Sequence, residues 1–342
     1  VAKIADSRRV LLSNLLLHRF ELLYFYFIFD PKSNFSDIFD EMTQRPTKIK
    51  QNIEKRTRPS VAVLLCVYGE DDPCLYRDAL QSIADQDISS HNLRIYLGID
   101  GEVPQAIEAA NDEFASLIHK IHRNERNIGL ARTLNILIQM LEDEEFVFRA
   151  DADDISEPNR FRVQVAHLVE HPEIALIGAQ ACDIDTEGRP LGDRNFPTDH
   201  DAIVRSLAYM NPILHPSYAM RRKLFDDPGI RYRPFHLCED LDFVMRLALA
   251  GHRLGNSPAR LLKFRVAGAF FARRISLSRG LVELRLYSGY ILATRGPFSP
   301  AYAFAFCRLL MRIIPRSWAN RLYRSSLRHR LLRIEEKAPA RE

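Results

Sequence analysis

"VAVLLCV", residues 61 to 67, is an unbroken apolar run with valine at three of its seven positions. A strand with one face in water would alternate apolar and polar residues, so this one is expected to be covered on both faces. A sheet sandwiched between helical layers supplies that cover, which points to an α/β fold. The segments that follow agree. "CLYRDALQSIADQ" (74 to 86) places Leu75, Ala79, Leu80 and Ile83 near helical spacing, after Asp71, Asp72 and Pro73, which suit a helix start. "LRIYLGID" (93 to 100) reads as a strand, "RNIGLARTLNILIQMLED" (126 to 143) as a helix with Asn127 as N-cap, and "EFVFR" (145 to 149) as a further strand. "PNRFRVQVAHLVEH" is another amphipathic helix, "EIALIGA" another strand, and "EDLDFVMRLALAG" (239 to 251) a helix with acidic residues at its start. This alternation predicts an open, doubly wound, mostly parallel sheet flanked by helices. Such sheets bind ligands at the carboxyl ends of their strands, near a switch in strand order. Tyr68, Asp100 and Asp151 to Asp154 all fall at predicted strand ends.

A chain of 342 residues with net charge +4 can bury a sizeable core. Its five cysteines are scattered without a CxxC pair, which argues against a zinc site or a disulfide framework and for reduced thiols in a cytoplasmic protein. "LLYFYFIF" (22 to 29) is too short to span a bilayer. Residues 1–58 are expected to form a helical lead-in and a basic linker, and 59–268 the catalytic domain. Residues 269–342 are expected to form a basic helical C-terminal region.

"FRADADDIS" (148 to 156) sets three aspartates within four positions at the end of an apolar strand, with Arg149 beside them. Carboxylates this close raise one another's pKa, and a cation relieves the repulsion. A solvated helix-capping turn is the plain alternative, but the cluster sits at the ligand edge of the sheet. An EF-hand loop would need Gly at its sixth position and Glu at its twelfth, where this chain has Ser156 and Arg162. A divalent ion held by one or two carboxylates and the oxygens of a diphosphate fits the pattern.

Taken in order, "VAVLLCVYGEDD", "LYRDALQSIADQ", "YLGIDG", "NERNIGLARTLN", "FRADADDISEPNRF", "HPSYAMRR" and "CEDLDFVMRLALAG" resemble the inverting glycosyltransferases of family 2, which have a GT-A fold. The resemblance runs from about Ser60 to Arg265 and is nearest to bacterial members that build capsules, exopolysaccharide or O-antigen. It implies a nucleotide-sugar donor, with UDP the usual carrier, and a glycan or lipid-linked glycan acceptor. Tyr68 and Glu70 would line the nucleotide pocket, Asp100 would accept from the base, and Asn127 and Arg132 would border the diphosphate. Asp151 and Asp153 would form the DxD motif, Asp153 binding Mn²⁺ or Mg²⁺ and Asp151 lying nearer the ribose, with Arg149 and Asp154 in support. His215 would approach the metal or the diphosphate, and Arg265 the phosphate. Glu239 and Asp240 match the ED pair, Asp240 being the general base. A sugar hydroxyl is a poor nucleophile at neutral pH, and a positioned carboxylate that takes its proton is worth about 10²- to 10⁴-fold. Taken alone, the same pair is also explained as helix N-terminal charge. The chain departs from the family in "DPGIRYRPFHLCED", where Arg231, Arg233 and His236 would suit an acidic sugar or lipid-linked phosphate. It has no QxxRW-type motif, which argues against a processive synthase. A nucleotidyltransferase would normally show a glycine-rich basic loop where "CVYGEDD" stands.

From Arg308 to Arg333 there are eight arginines and no acidic residue. Interleaved with apolar residues, they fit an amphipathic element on the inner face of the cell membrane, and equally a helical subdomain packed on the catalytic domain. Nothing in the chain resembles a nucleic-acid-binding motif.

Overall fold

The computed structural model describes residues 60–88, 93–235, 237–266 and 276–313. The expected helical lead-in and linker, His236 and the arginine-rich stretch beyond Ile313 lie outside the described residues.

The chain enters the sheet with β1 (Val61–Tyr68) and leaves it through α1 (Pro73–Ala84). Asp72 caps that helix, its side chain accepting from the backbone N–H groups of Cys74 and Leu75, and Pro73 occupies a position where no N–H is needed. Then come β2 (Leu93–Asp100), α2 (Gln105–Glu113), β3 (Ile118–Asn124), α3 (Leu130–Met140) and β4 (Phe146–Ala150). β5 (Ile155–Ser156), α4 (Arg160–Glu170), β6 (Ile174–Ile184), β7 (Pro190–Arg194), α5 (His200–Ser206) and β8 (Ala219–Arg221) follow. α6 (Glu239–Leu249), β9 (Arg253–Arg265), α7 (Leu277–Arg295) and α8 (Ala301–Ile313) complete the described chain.

The strands lie in the order β3-β2-β1-β4-β8-β6-β9-β5, with β7 paired to β6. The first four are parallel to one another, as expected. Beyond β4 the sheet is mixed: β8 runs antiparallel to both β4 and β6, β7 to β6 and β5 to β9, while β6 and β9 are parallel. The chain passes outward through β2 and β3 and returns to place β4 on the other side of β1. The switch point therefore lies between the ends of β1 and β4.

Burial on both faces of β1 splits its side chains between two cores. Val61, Val63, Leu65 and Val67 pack with α1, α2 and α4 residues such as Tyr76, Ile107 and Phe161. Ala62 and Leu64 face the other way, into a core shared with α3, α6, α7 and α8. Each fully buried Leu or Val contributes about 1.5–3 kcal/mol. The edge strand β3 alternates partly buried and exposed residues instead.

In the mixed half, three side chains close on Gly178 of β6. A Cβ there would stand 2.3 Å from Asn256 Oδ1, 2.5 Å from Ile213 Cγ2 and 3.1 Å from Ser217 Oγ. Gly178→Ala is expected to destabilise the protein by about 1–3 kcal/mol, read as a lowered melting temperature.

Candidate active site

Tyr68 and Glu70 stand where β1 ends. The turn there is pinned by Asp71, whose carboxylate accepts from Tyr68 N at 2.9 Å, and it leaves Tyr68 half-buried and Glu70 exposed. Asp100 lies in register with Tyr68 on the neighbouring strand and is 5 % exposed. Its carboxylate already accepts three hydrogen bonds, from Ile128 N at 2.8 Å, Gly129 N at 2.9 Å and Asn124 Nδ2 at 2.9 Å. It thereby fixes the loop entering α3.

Asn127 does not cap α3. The helix starts at Leu130 with Gly129 as N-cap, held at φ 91°, where glycine carries no penalty. The Asn127 side chain accepts from Gly129 N at 3.1 Å, so it shapes the turn one step before the helix. Asn127 and Arg132 are both exposed at this end of the sheet.

At the end of β4, one carboxylate oxygen each from Asp151, Asp153 and Asp154 lies within 4.8 Å of the others. Arg149, 2 % exposed, donates to Asp151 Oδ1 and to the carbonyl of Ala150. Asp154 is buried. Its Oδ1 accepts from Arg265 N at 2.7 Å, while Oδ2 has no hydrogen-bond partner. Burial, reinforced by the charges of Asp153 and Asp151, holds the Asp154 carboxyl well above the usual carboxylate range. An oxygen-only cluster with an orphaned buried oxygen fits a hard divalent cation.

Two expected partners of this cluster are bonded to other groups. Arg265 donates Nε to the carbonyl of Asp153 at 2.8 Å and Nη1 to the carbonyls of Asp185 and Thr186 at 2.8 and 2.7 Å. Three of its five N–H donors thus clamp backbone, with the side chain 3 % exposed, and hold the aspartate loop. His215 is not among the carboxylates that gather. It lies in a short 3₁₀ turn, 8 % exposed, with Nε2 3.1 Å from Tyr232 Oη and its ring edge-on to Tyr218 and Tyr232. Burial and the nearby Arg149 charge push its pKa well down, which leaves a neutral imidazole.

Sequence reasoning missed the residue beneath the cluster. Arg160, fully buried at the start of α4, donates to Arg149 O at 2.8 Å, Pro216 O at 2.7 Å, Ser156 Oγ at 3.0 Å and Gln164 Oε1 at 3.1 Å. It ties β4, the aspartate loop, α4 and the His215 turn to one planar group. Burial lowers its pKa to about 9, so it stays cationic at neutral pH.

The second acidic centre opens α6. The Asp240 carboxylate accepts from Asn211 Nδ2 at 2.8 Å, a contact across 29 residues that no local pattern announces. Burial and the Asp240 charge raise the Glu239 carboxyl to about 7. Leu237, just before, has φ 58°, a left-handed conformation that costs a non-glycine residue about 1–2 kcal/mol. Of the family-departing segment, Arg231 donates Nη1 to the carbonyls of Phe225, Asp227 and Ile230, and Arg233 is exposed, 3.7 Å from Asp242. Tyr232 lies between them. Asn135 of α3 bonds its backbone N–H and C=O, both at 2.8 Å, and its ring stacks on Phe243 at 4.4 Å. Burial raises the Tyr232 phenol; Arg149 opposes this, and Asp240 and Glu239 add to it. This tyrosine therefore feels the second acidic centre and the arginine that holds the first.

The sequence and the fold have known counterparts. Residues 62–228 match the model of glycosyl transferase family 2. An uncharacterized glycosyltransferase of Haemophilus influenzae is 30% identical over 273 residues, covering 78% of this chain and 98% of the relative. The Escherichia coli UDP-Gal:alpha-D-GlcNAc-diphosphoundecaprenol beta-1,3-galactosyltransferase is 22% identical over 272 residues, covering 79% of this chain and 97% of that enzyme. Among solved structures, S. aureus TarS 1-349 in complex with UDP-GlcNAc superposes with a TM-score of 0.56 at 18% identity, over 74% of this chain and 72% of that one. At that identity the likeness establishes the GT-A fold alone. Together with the relative from H. influenzae, matched over nearly its whole length, the family match makes this chain a member of glycosyl transferase family 2.

Proposed function

We propose that this glycosyltransferase moves one sugar from a nucleoside diphosphate sugar, with UDP as carrier, to a hydroxyl of a glycan or lipid-linked glycan in cell-surface polysaccharide biosynthesis. The observation that carries the reading is the pair of acidic centres, Asp151/Asp153/Asp154 and Glu239/Asp240, with Tyr232 acted on by Arg149, which holds Asp151, and by both carboxylates of the second centre. One serves the donor and the other the acceptor. The acceptor oxygen forms a bond to the anomeric carbon as the bond to the diphosphate oxygen breaks, inverting that centre. Asp240 takes the hydroxyl proton, and the electron pair leaves with the nucleotide. A bound Mg²⁺ or Mn²⁺, held by Asp153 and Asp151, would stabilise the charge on that leaving group. Tyr68, Glu70 and Asp100 form the floor for the base, Asp100 offering the one acceptor position its loop contacts leave free. Asn127 and Arg132 border the diphosphate.

The E. coli relative's name pairs a UDP-sugar with a lipid-diphosphate acceptor, and the TarS structure holds UDP-GlcNAc, which supports both substrate classes here. We assign the catalytic domain to residues 59–268 and contact with the inner membrane face to the region after it.

Calorimetric titration of UDP, GDP and TDP, with and without Mn²⁺, tests the donor half. UDP is expected to bind in a metal-dependent way, and Asp153→Ala to weaken that binding by at least about tenfold. Absence of binding by any of the three nucleotides would make a non-catalytic role the better reading.

A further inference from the structure

We propose that the outward faces of α7 and α8 form a docking surface for an anionic bilayer, a partner that rests on the lipid-linked acceptor reading above. Seven of the eleven large apolar side chains exposed among the described residues fall between Leu277 and Leu310. Scattered exposed leucines are ordinary, but such concentration marks an interaction surface. On α7, Leu277, Leu281 and Leu292 project within about 60° of one another at 3.6 residues per turn. On α8, Phe306 and Leu310 lie one turn apart. Between the helices the Gly296–Pro297 turn holds out Phe298, 97 % exposed. The opposite faces of both helices are already used: Tyr287, Tyr290, Ile291, Ala301 and Ala305 are buried in the core with α3 and α6. The apolar stripe is therefore a second face, left over after folding is satisfied.

Charge selects the occupant. Arg285 is exposed on α7 beside the stripe, and the sequence from Arg308 to Arg333 carries eight arginines without one acid. Apolar side chains beside an arginine, on two helices whose one acid, Glu283, is buried, suit lipid tails below anionic headgroups. Among the described residues no helix is long and apolar enough to cross a membrane, so the contact is a surface one. The first turn of α7 also stands behind the acidic pair, since Arg279 ranks among the charges acting on Glu239 and Cys238. One helix, about 28 Å long at 1.5 Å per residue, thus joins the acceptor side of the site to the proposed bilayer face.

The test is sedimentation of the full chain with vesicles of phosphatidylcholine alone or with about a third phosphatidylglycerol. The protein is expected to pellet with the anionic vesicles, less so as salt rises. Leu281→Ser/Phe298→Ser/Phe306→Ser is expected to lower the vesicle affinity about tenfold while leaving metal-dependent UDP binding intact. UDP titration on the same samples judges the transferase reading separately. Protein that stays in the supernatant with both vesicle types overturns the proposal, as does a variant that pellets like the parent. A parent that is dimeric by light scattering, with dimers lost in the variant and no vesicle binding, assigns the face to a second copy and overturns it too.

Discussion

Asp240→Asn is expected to cut sugar transfer by about 10²- to 10⁴-fold while leaving the affinity for UDP unchanged. The substitution keeps the shape and the Asn211 contact, whose amide can still donate to the Asn oxygen, but removes the lone pair that takes the proton. Single-turnover transfer measured beside nucleotide titration separates the two effects. A matching loss of nucleotide affinity would show that the residue acts through the donor site instead. The pair also fixes a pH dependence. Burial and the Asp240 charge hold Glu239 up at about 7, so below that value the pair carries an additional proton. Transfer by the parent is therefore expected to rise as pH increases through about 7, and the apparent value belongs to the pair as a unit.

Arg160→Met is expected to destabilise the protein by about 3–5 kcal/mol, the largest effect on stability among single changes near the site. Methionine fills most of the volume but leaves the carbonyls of Arg149 and Pro216 buried without donors, and Ser156 and Gln164 without their partner. It also withdraws a buried positive charge from beside Asp154, which the remaining aspartates already press toward its neutral form. Denaturant unfolding reads the stability loss. Arg160→Lys restores the charge without the planar fork and is expected to recover only part of it.

The parallel half of the sheet was legible because burial on both faces leaves unbroken apolar runs, and because Asp72 and Pro73 announce α1 with local chemistry. Of the mixed half, only the start of β6 was, in "EIALIGA". β5 has two residues and β8 three, too few to display any period, and their direction is set by partners far away in sequence. The same limit governs the site. The aspartates gather on one short loop and could be read as a group. The partner of Asp240 lies 29 residues upstream, and Arg265 closes on backbone more than a hundred residues before it. Arg265 and Arg231 look in sequence like charges awaiting an anion, yet both guanidiniums are engaged by carbonyls. Which arginine holds the chain and which meets a ligand is decided by tertiary structure.

β9 pairs with β6 along most of its length, joining residues about eighty apart in the chain. The helix that bears Glu239 and Asp240 lies inside the segment this pairing closes. Closing so long a loop costs entropy before any contact repays it, which makes it a slow event in folding. The pairing of β1 with β4, which flanks the donor side, is as long-ranged, Val61 meeting Phe146. Both acidic centres therefore wait on a long-range closure, and a half-folded molecule that has made only its local contacts assembles neither.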